Sequence, residues 1–503
     1  MSNPTTSFWK ATSSATCFPA LDRNLETDVV IIGGGITGIM AADLLSRAGK
    51  RVVVLEAMCI GLGTTGHATG NLHVTVDEMM CQVRKKWDKE TARLVAVSRQ
   101  ATIDALERRV DETGISCGFI RCPHYLYPTG STSAEHIGEE HRTLTEAGIA
   151  ASLTDEVPLP FSAGTALRIE NQAQFHPLLF VQGLAEHIRS DGCMIFENSK
   201  VIEIDDANGT VVTTSGRVRA GAIFVATHTP KGFDPVQAEL GPYREYGVAA
   251  PLDGQLPPGI FWSVEETSVS LRSCELNDKK YLMVIGEEHK TGQHREDVDY
   301  FGKVAQFAQS HFRVPPMEYR WSAQNYRPAD LLPFIGRSAL GNRYIATGFG
   351  TNGLLYGPLA AAIVTDLILG RKNPLIELFK PRRFTPVKSA KDFLSENLNV
   401  AKQYARDFLT HGDLKQMKDI APDEGALVDV DGTVAVYRDG EGDFTLLSPL
   451  CTHLGCKVHW NSMEKSWDCP CHGSRFNCGG EVLEGPAVSP LQLFNIVEDD
   501  ADE

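Results

Sequence analysis

Positive charge is scarce in this 503-residue chain. Its 48 lysines and arginines face 64 aspartates and glutamates, a formal net charge of −16. A protein that neutralises phosphates needs the reverse balance, so no nucleic-acid partner is expected. Long unbroken apolar runs are absent too. The longest apolar stretch, Tyr344 to Leu369, is interrupted by Gly348, Gly350, Gly353 and Gly357 and carries Asn352 and Asp366, so no membrane span is expected. The first 24 residues lack a basic segment followed by an apolar one. No secretory signal is read there, and the expected setting is cytoplasmic. Internal repeats and low-complexity tracts are also missing. What remains is a globular composition, 42% apolar and 22% charged, at a length that suits about three domains.

Cysteines are unevenly placed. Seven of the twelve are scattered before residue 300, and five fall between Cys451 and Cys478. A disulfide framework would spread them evenly. The early ones read as reduced thiols and the late group as a metal site.

The first regular element is the apolar run Asp28 to Ile32, a buried strand. It enters Gly33-Gly-Gly35-Ile-Thr-Gly38, then a helical pattern to Ala48, then the strand Arg51 to Leu55 closed by Glu56. In this βαβ order Gly33 permits the tight turn, Gly35 lets backbone approach a pyrophosphate, and Gly38 lets helix and strand pack. Glu56 stands where an acid binds ribose hydroxyls. The spacing does not separate FAD from NAD. A second glycine pattern, Gly348-x-Gly350-x-x-Gly353, lacks a following strand and acid. It reads as a distant piece of the first domain returning to cover the cofactor. Further helices are predicted over Leu94 to Val110 and Pro177 to Arg189, and a hairpin over 201 to 213.

Residues 28 to about 372 resemble the glycine oxidase/D-amino acid oxidase-like FAD-dependent oxidoreductases. The resemblance is carried by GGGITG at 33–38, GTTGHATG at 63–70, FVATHTP at 224–230, PADLLPFIGR at 328–337 and ATGFGTNGLLYGP at 346–358. It implies FAD, bound by an α/β Rossmann-like domain made of about 28–75, 195–230 and 328–372, with Thr64 and Thr65 among the cofactor residues. An α+β substrate domain, about 76–194 and 231–327, would be interleaved with it. In related dimethylglycine dehydrogenase-like proteins the position of His67 carries a covalent bond to flavin. That bond is one reading of His67, and a histidine merely lining the pocket is the other. The arginine that grips a substrate carboxylate in glycine oxidase-like proteins is replaced here by Thr351. Arg272, Lys290, His176, Tyr125 and Tyr127 are the remaining candidates on the substrate side, each with an ordinary packing role as its alternative. No catalytic base is named. The expected chemistry is hydride transfer from a C–H beside nitrogen.

The late cluster reads Cys451-x-His453 and Cys469-x-x-His472. Two thiolates and two imidazoles suit zinc. They also suit a [2Fe–2S] centre with both thiolates on one iron and both imidazoles on the other, and one Cys and one His per box favours this second reading. Residues 412 to 497 resemble Rieske proteins of cytochrome bc complexes, a small all-β domain, and Gly485-Pro486-Ala487 resembles their Pro loop. That resemblance implies a disulfide between Cys456 and Cys471. It also implies a hydrogen bond from Ser474 to the cluster, while Phe476 replaces their tyrosine donor. An intermediate potential follows. Cys478 is expected to be a bystander. An N-terminal extension (1–27), a linker (373–411) with an amphipathic helix over 389–409, and an acidic tail (498–503) complete the chain.

Flavin takes two electrons and a Rieske centre carries one. Their union predicts an enzyme that oxidises a small-molecule amine or amino acid at FAD. Electrons would then leave singly to an external acceptor, a protein or a quinone. Electrons entering through the cluster, or a non-catalytic redox sensor, are the alternatives. A Rieske oxygenase would need two histidines and a carboxylate on a mononuclear iron. His136 and His141 have suggestive spacing, but no acid precedes His136 at the required distance.

Overall fold

A computed structural model describes residues 5–264, 268–276, 279–383, 399, 416–429 and 432–494. Apart from Asn399, the helix expected over 389–409 lies outside these residues, as does the acidic tail. The chain forms two compact units. One comprises Met1–His228, Arg244–Glu288 and Asp299–Ser389. The other comprises Thr229–Tyr243, His289–Val298 and Ala390–Glu503.

The larger unit holds an eight-stranded sheet ordered Phe334–Arg337, Arg343–Thr347, Arg217–Val225, Leu25–Ile32, Val52–Leu55, Cys193–Phe196, with the hairpin Val201–Asp205 and Thr210–Thr213 alongside. Its centre is parallel: Leu25–Ile32 pairs in parallel with Val52–Leu55 and with Arg217–Val225. Runs of Val and Ile with no polar alternation fit a strand covered on both faces. The three sequence pieces expected to bind FAD therefore supply one sheet. The helices Ile36–Arg47 and Gly353–Ile368 cross closely at Gly357, where a Cβ would lie 2.7 Å from Thr37 Oγ1.

A nine-stranded sheet is ordered Tyr319–Pro328, Leu240–Pro251, Lys279–Lys290, Ser270–Leu276, Ile260–Val264, Ile120–Pro128, Ala166–Gln174, Asn71–Leu72, with Ala151–Thr154 beside Ala166–Gln174. The predicted helix at 94–110 runs longer, Lys89–Thr113. The Asp88 carboxylate caps its start by accepting from Thr91 N at 2.7 Å, and Gly114 ends it at φ 67°. The N-terminal extension is not a bare tail. Phe8 and Trp9 are buried, Ser7 Oγ donates to the Gly66 carbonyl, and Trp9 Nε1 donates to the Ala68 carbonyl, both at 2.5 Å.

The second unit contains a three-stranded antiparallel sheet, Glu424–Asp429, Thr433–Arg438 and Phe444–Leu447. It also contains a four-stranded one, His459–Asn461, Ser466–Asp468, Arg475–Phe476 and Val482–Glu484. Val458, Trp467, Phe476 and Leu491 form its core. Buried Arg475 ties the second sheet together through Asp468 at 2.8 Å, Glu484 at 2.7 Å and Glu464. Among the described residues no helix is long and apolar enough to cross a membrane.

Candidate functional sites: a flavin cradle and an iron–sulfur centre

In the first glycine turn, contacts within the protein account for two of the three patterned glycines. A Cβ on Gly33 would lie 2.6 Å from the Ala226 carbonyl oxygen, and one on Gly38 would lie 1.9 Å from the Gly33 oxygen. Protein packing thus demands both glycines. Around Gly35 the protein offers only Thr65 Oγ1, at 3.2 Å, so the cradle beside it is left for a ligand at a helix N-terminus. Glu56 ends the second strand and accepts from Gly34 N at 2.7 Å and Met58 N at 2.9 Å. Burial pushes its carboxyl upward. Thr65 Oγ1 accepts from Ile36 N, and Thr64 Oγ1 meets His228 Nδ1 at 3.1 Å. His67 Nδ1 donates to the Gly63 carbonyl at 2.8 Å, which places a proton on Nδ1.

The second glycine turn carries a feature that sequence reasoning missed. Asp77 lies against it, with Oδ2 accepting from Thr351 N at 3.0 Å and Oδ1 from Asn352 Nδ2 at 2.6 Å and from the Thr351 hydroxyl. Behind it, Arg99 donates to Asn352 Oδ1 at 2.6 Å. Beside Asp77 stands Arg327, whose Nε is 3.9 Å away and whose Nη2 donates to Glu288. Glu245 completes the group. Burial, then the neighbouring Glu288 charge, raises its pKa; burial likewise raises that of Glu288, against the pull of Arg327. Arg327 thus bonds Glu288 and faces Asp77, with Glu245 within electrostatic reach of all three. Glu245 and Glu288 lie on different strands and gave no motif. A break at Glu287, φ 51°, further scrambles the alternation around Glu288. The one usable signal was Arg327, immediately before PADLLPFIGR.

The substrate-side candidates have other occupations. Arg272 is buried, with Nη1 donating to the carbonyls of Gly70 at 2.8 Å, Thr69 and Phe175 and Nε to that of Ser273, so it braces the 63–70 loop. His176 caps the helix Pro177–Ile188 by accepting from Leu179 N at 3.1 Å, and its Nε2 meets Thr12 Oγ1. Tyr125 stacks on Phe261, and Tyr127 packs edge-on against Phe161. Lys290 belongs to the second unit, with its ammonium 5.7 Å from the Tyr243 ring centre.

In the second unit the two ligand boxes are self-closing turns. Cys451 N donates to the Cys456 carbonyl, and Cys469 N to the Ser474 carbonyl, both at 2.8 Å. Gly455 at φ 75° and Gly473 at φ 73° provide the left-handed residue each turn requires. The Cys451 and Cys469 thiols hydrogen-bond each other. That bond chiefly, then the N–H groups of His453 and Leu454 and the Ser474 hydroxyl, makes Cys451 the more acidic of the two. The imidazoles of His453 and His472 lie 5.0 Å apart, and burial pushes both down to about 4, which keeps them neutral, the form that ligates metal. Cys456 and Cys471 are joined as a disulfide. Their sulfurs also lie within 4.8 Å of Cys469 Sγ, but the bond between them removes them as ligands.

Gln237, another residue missed in sequence, fixes how His453 presents itself. Its Nε2 donates to the carbonyls of Pro230 at 2.9 Å and Gly232 at 2.8 Å, and its Oε1 accepts from Asp234 N at 3.0 Å. The amide can therefore face His453 only with its oxygen. His453 Nε2, 3.1 Å from that oxygen, must be the protonated nitrogen, which leaves Nδ1 bare for a metal. The Pro loop closes the other side. Gly485 sits at φ 96° with its α-carbon so near the second box that a Cβ would meet the Gly473 oxygen at 2.4 Å, and Ala487 N donates to Ser474 Oγ at 3.1 Å.

The model of FAD dependent oxidoreductases matches residues 28–367, and that of the Rieske [2Fe-2S] domain matches residues 411–495. This chain belongs to the FAD-dependent oxidoreductase family. It carries a Rieske domain at its C-terminal end. The Bacillus subtilis protein YhfW, whose name describes a Rieske 2Fe-2S iron-sulfur protein, is 36% identical over 496 residues, 97% of either chain. The gamma-glutamylputrescine oxidoreductase of Escherichia coli is 25% identical over 392 residues, 74% of this chain and 90% of its own. Glycine oxidase from Geobacillus kaustophilus shares the fold at a TM-score of 0.60 and 19% identity, over 72% of this chain and all of its own. The oxidoreductase binds FAD and a [2Fe–2S] cluster. Zinc, the other reading of the two boxes, gives way to the Rieske assignment.

Proposed function

We propose that this oxidoreductase is a dehydrogenase for an amine or amino/imino-acid-like donor. Electrons reach an external acceptor, a protein or a quinone, one at a time through the Rieske centre. The carbon beside nitrogen loses hydrogen with its electron pair. The nitrogen lone pair closes a C=N bond, and water hydrolyses the imine when the nitrogen is primary. Bound FAD supplies the two-electron acceptor for that step, and the bound cluster supplies a one-electron carrier.

The observation that carries this reading is the completeness of the ligand boxes. Two thiols, two neutral imidazoles, a cross-linking disulfide and a Ser474 hydroxyl beside Cys451 are all in place in a chain whose remainder is a flavin oxidoreductase. A simple oxidase would have no use for such a centre. The chain's own residues would hold the dinucleotide through the Gly33–Gly38 turn, Glu56, Thr64, Thr65 and the Gly348–Gly353 turn. Cys451, His453, Cys469 and His472 would hold the cluster.

The test is anaerobic mixing of the holoprotein with a panel of amines and amino acids, followed by absorbance and low-temperature EPR. A reducing donor should bleach the flavin and then produce the rhombic signal of a reduced Rieske centre. Flavin bleaching with a silent cluster, together with peroxide release in air, would overturn the electron route.

A further inference from the structure

We infer that Asp77, Glu245 and Glu288, gathered round Arg327 and the buried amide of Asn325, form a subsite for the positively charged group of an amine substrate. The inference rests on the amine-dehydrogenase reading above and narrows its substrate to organic cations.

Charge balance is the first support. Arg327 is the one cation bonded to this group among the described residues, and it serves Glu288 directly and Asp77 at 3.9 Å. Asp77 is already committed to the Thr351 and Asn352 end of the second glycine turn, so its charge is fixed against the flavin-binding elements. Two further carboxyls in a half-buried place beside one guanidinium favour protonation or a second cation. Their raised pKa values register that missing charge. An ammonium supplies it.

The second support is independent of charge. Asn325 lies two residues before Arg327 on the strand Tyr319–Pro328, so the two side chains emerge on one face. Asn325 is 4% exposed, yet neither its Oδ1 nor its Nδ2 has a hydrogen-bond partner. Buried amides are rarely left so, because an orphaned donor or acceptor loses its hydration with no bond in return. An ammonium meets the first of these needs by donating to Oδ1. A free α-carboxylate, by contrast, would enter against three acids with Arg327 already engaged.

The experiment uses the FAD- and cluster-loaded full chain and its Glu245→Gln and Glu288→Gln variants, both close to isosteric. Butyltrimethylammonium, which has no nitrogen lone pair and cannot form an imine, reads binding by calorimetry without turnover. Binding to the parent, weakened about tenfold or more in either variant at unchanged FAD content, is expected for a charge removed at this range. A matched four-carbon set then reads selectivity through flavin reduction: 1,4-diaminobutane should act at lower concentration than n-butylamine, and both should outdo 4-aminobutanoate. The subsite is overturned if the quaternary cation fails to bind, or binds the variants as it binds the parent. It is also overturned if 4-aminobutanoate or glycine is preferred to the diamine, a result that leaves the dehydrogenase reading standing. Carboxylate-dependent cation binding with no flavin reduction by any amine would instead uphold the subsite and remove the dehydrogenase reading.

Discussion

Ser474 offers the sharpest quantitative test of the cluster environment. Its side chain is fully buried, accepts from Ala487 N at 3.1 Å, and is one of the groups that favour the Cys451 thiolate, as a hydroxyl donating to that sulfur would. The reduced cluster carries one more negative charge than the oxidised one. A donor to sulfur therefore stabilises the reduced state more and raises the potential. If the differential worth of this bond is about 1–2 kcal/mol, Ser474→Ala should lower the midpoint by about 40–90 mV, since one pKa-scale decade of about 1.4 kcal/mol equals about 59 mV for one electron. The same change strips Ala487 N of its acceptor, at a cost of about 1–3 kcal/mol in the stability of the small domain. The two effects separate cleanly. Potential is read by redox titration followed by EPR on protein of full iron content, and stability by the thermal transition. Ser474→Thr keeps the hydroxyl and should restore most of the potential whatever it does to stability. A fully loaded Ser474→Ala protein with an unchanged or more positive midpoint would refute the reasoning.

Gln237→Met removes the acceptor of the His453 Nε2 proton. As a cluster ligand His453 would then donate less charge to iron, and the midpoint should rise with a shifted g tensor in the EPR of the reduced protein. Gly485→Ala forces a Cβ into the Gly473 carbonyl at a positive φ. It should cost about 1–3 kcal/mol and lower iron and sulfide per chain, both measurable on purified protein. Arg475→Met breaks buried bonds to Asp468, Glu464 and Glu484 and should destabilise the small domain by about 3–5 kcal/mol, seen as loss of its thermal transition before that of the flavin unit. The carboxyls of Glu245 and Glu288, pushed up to about 8 and about 7 from 4.5, bind more protons folded than unfolded. Their share of stability should therefore fall as pH rises from about 5 to 8, and Glu245→Gln should flatten that slope in thermal scans.

What was legible in the sequence follows from how each feature is encoded. The dinucleotide turn and the two cysteine–histidine boxes are local. Their glycines at 33, 38, 455 and 473 answer contacts or φ values within a few residues, so spacing alone reveals them. Helix 89–113 was underestimated because its cap, Asp88, lies outside the apolar stripe that periodicity detects. Arg272 illustrates a different limit. A cation following a strand-like run suggests a ligand, and nothing local shows that four carbonyls from three separate segments will engage its Nε and Nη1. Glu245, Glu288 and Arg327 come together only because the strands that carry them are neighbours in the order Tyr319–Pro328, Leu240–Pro251, Lys279–Lys290. Gln237 meets His453 across 216 residues of chain. Chemistry held by backbone turns can be read from one sequence; chemistry held by side chains of distant strands needs the fold. For this oxidoreductase that division falls between the glycine turns and cysteine–histidine boxes, which spacing displays, and the Asp77, Glu245, Glu288 and Arg327 group, which it does not.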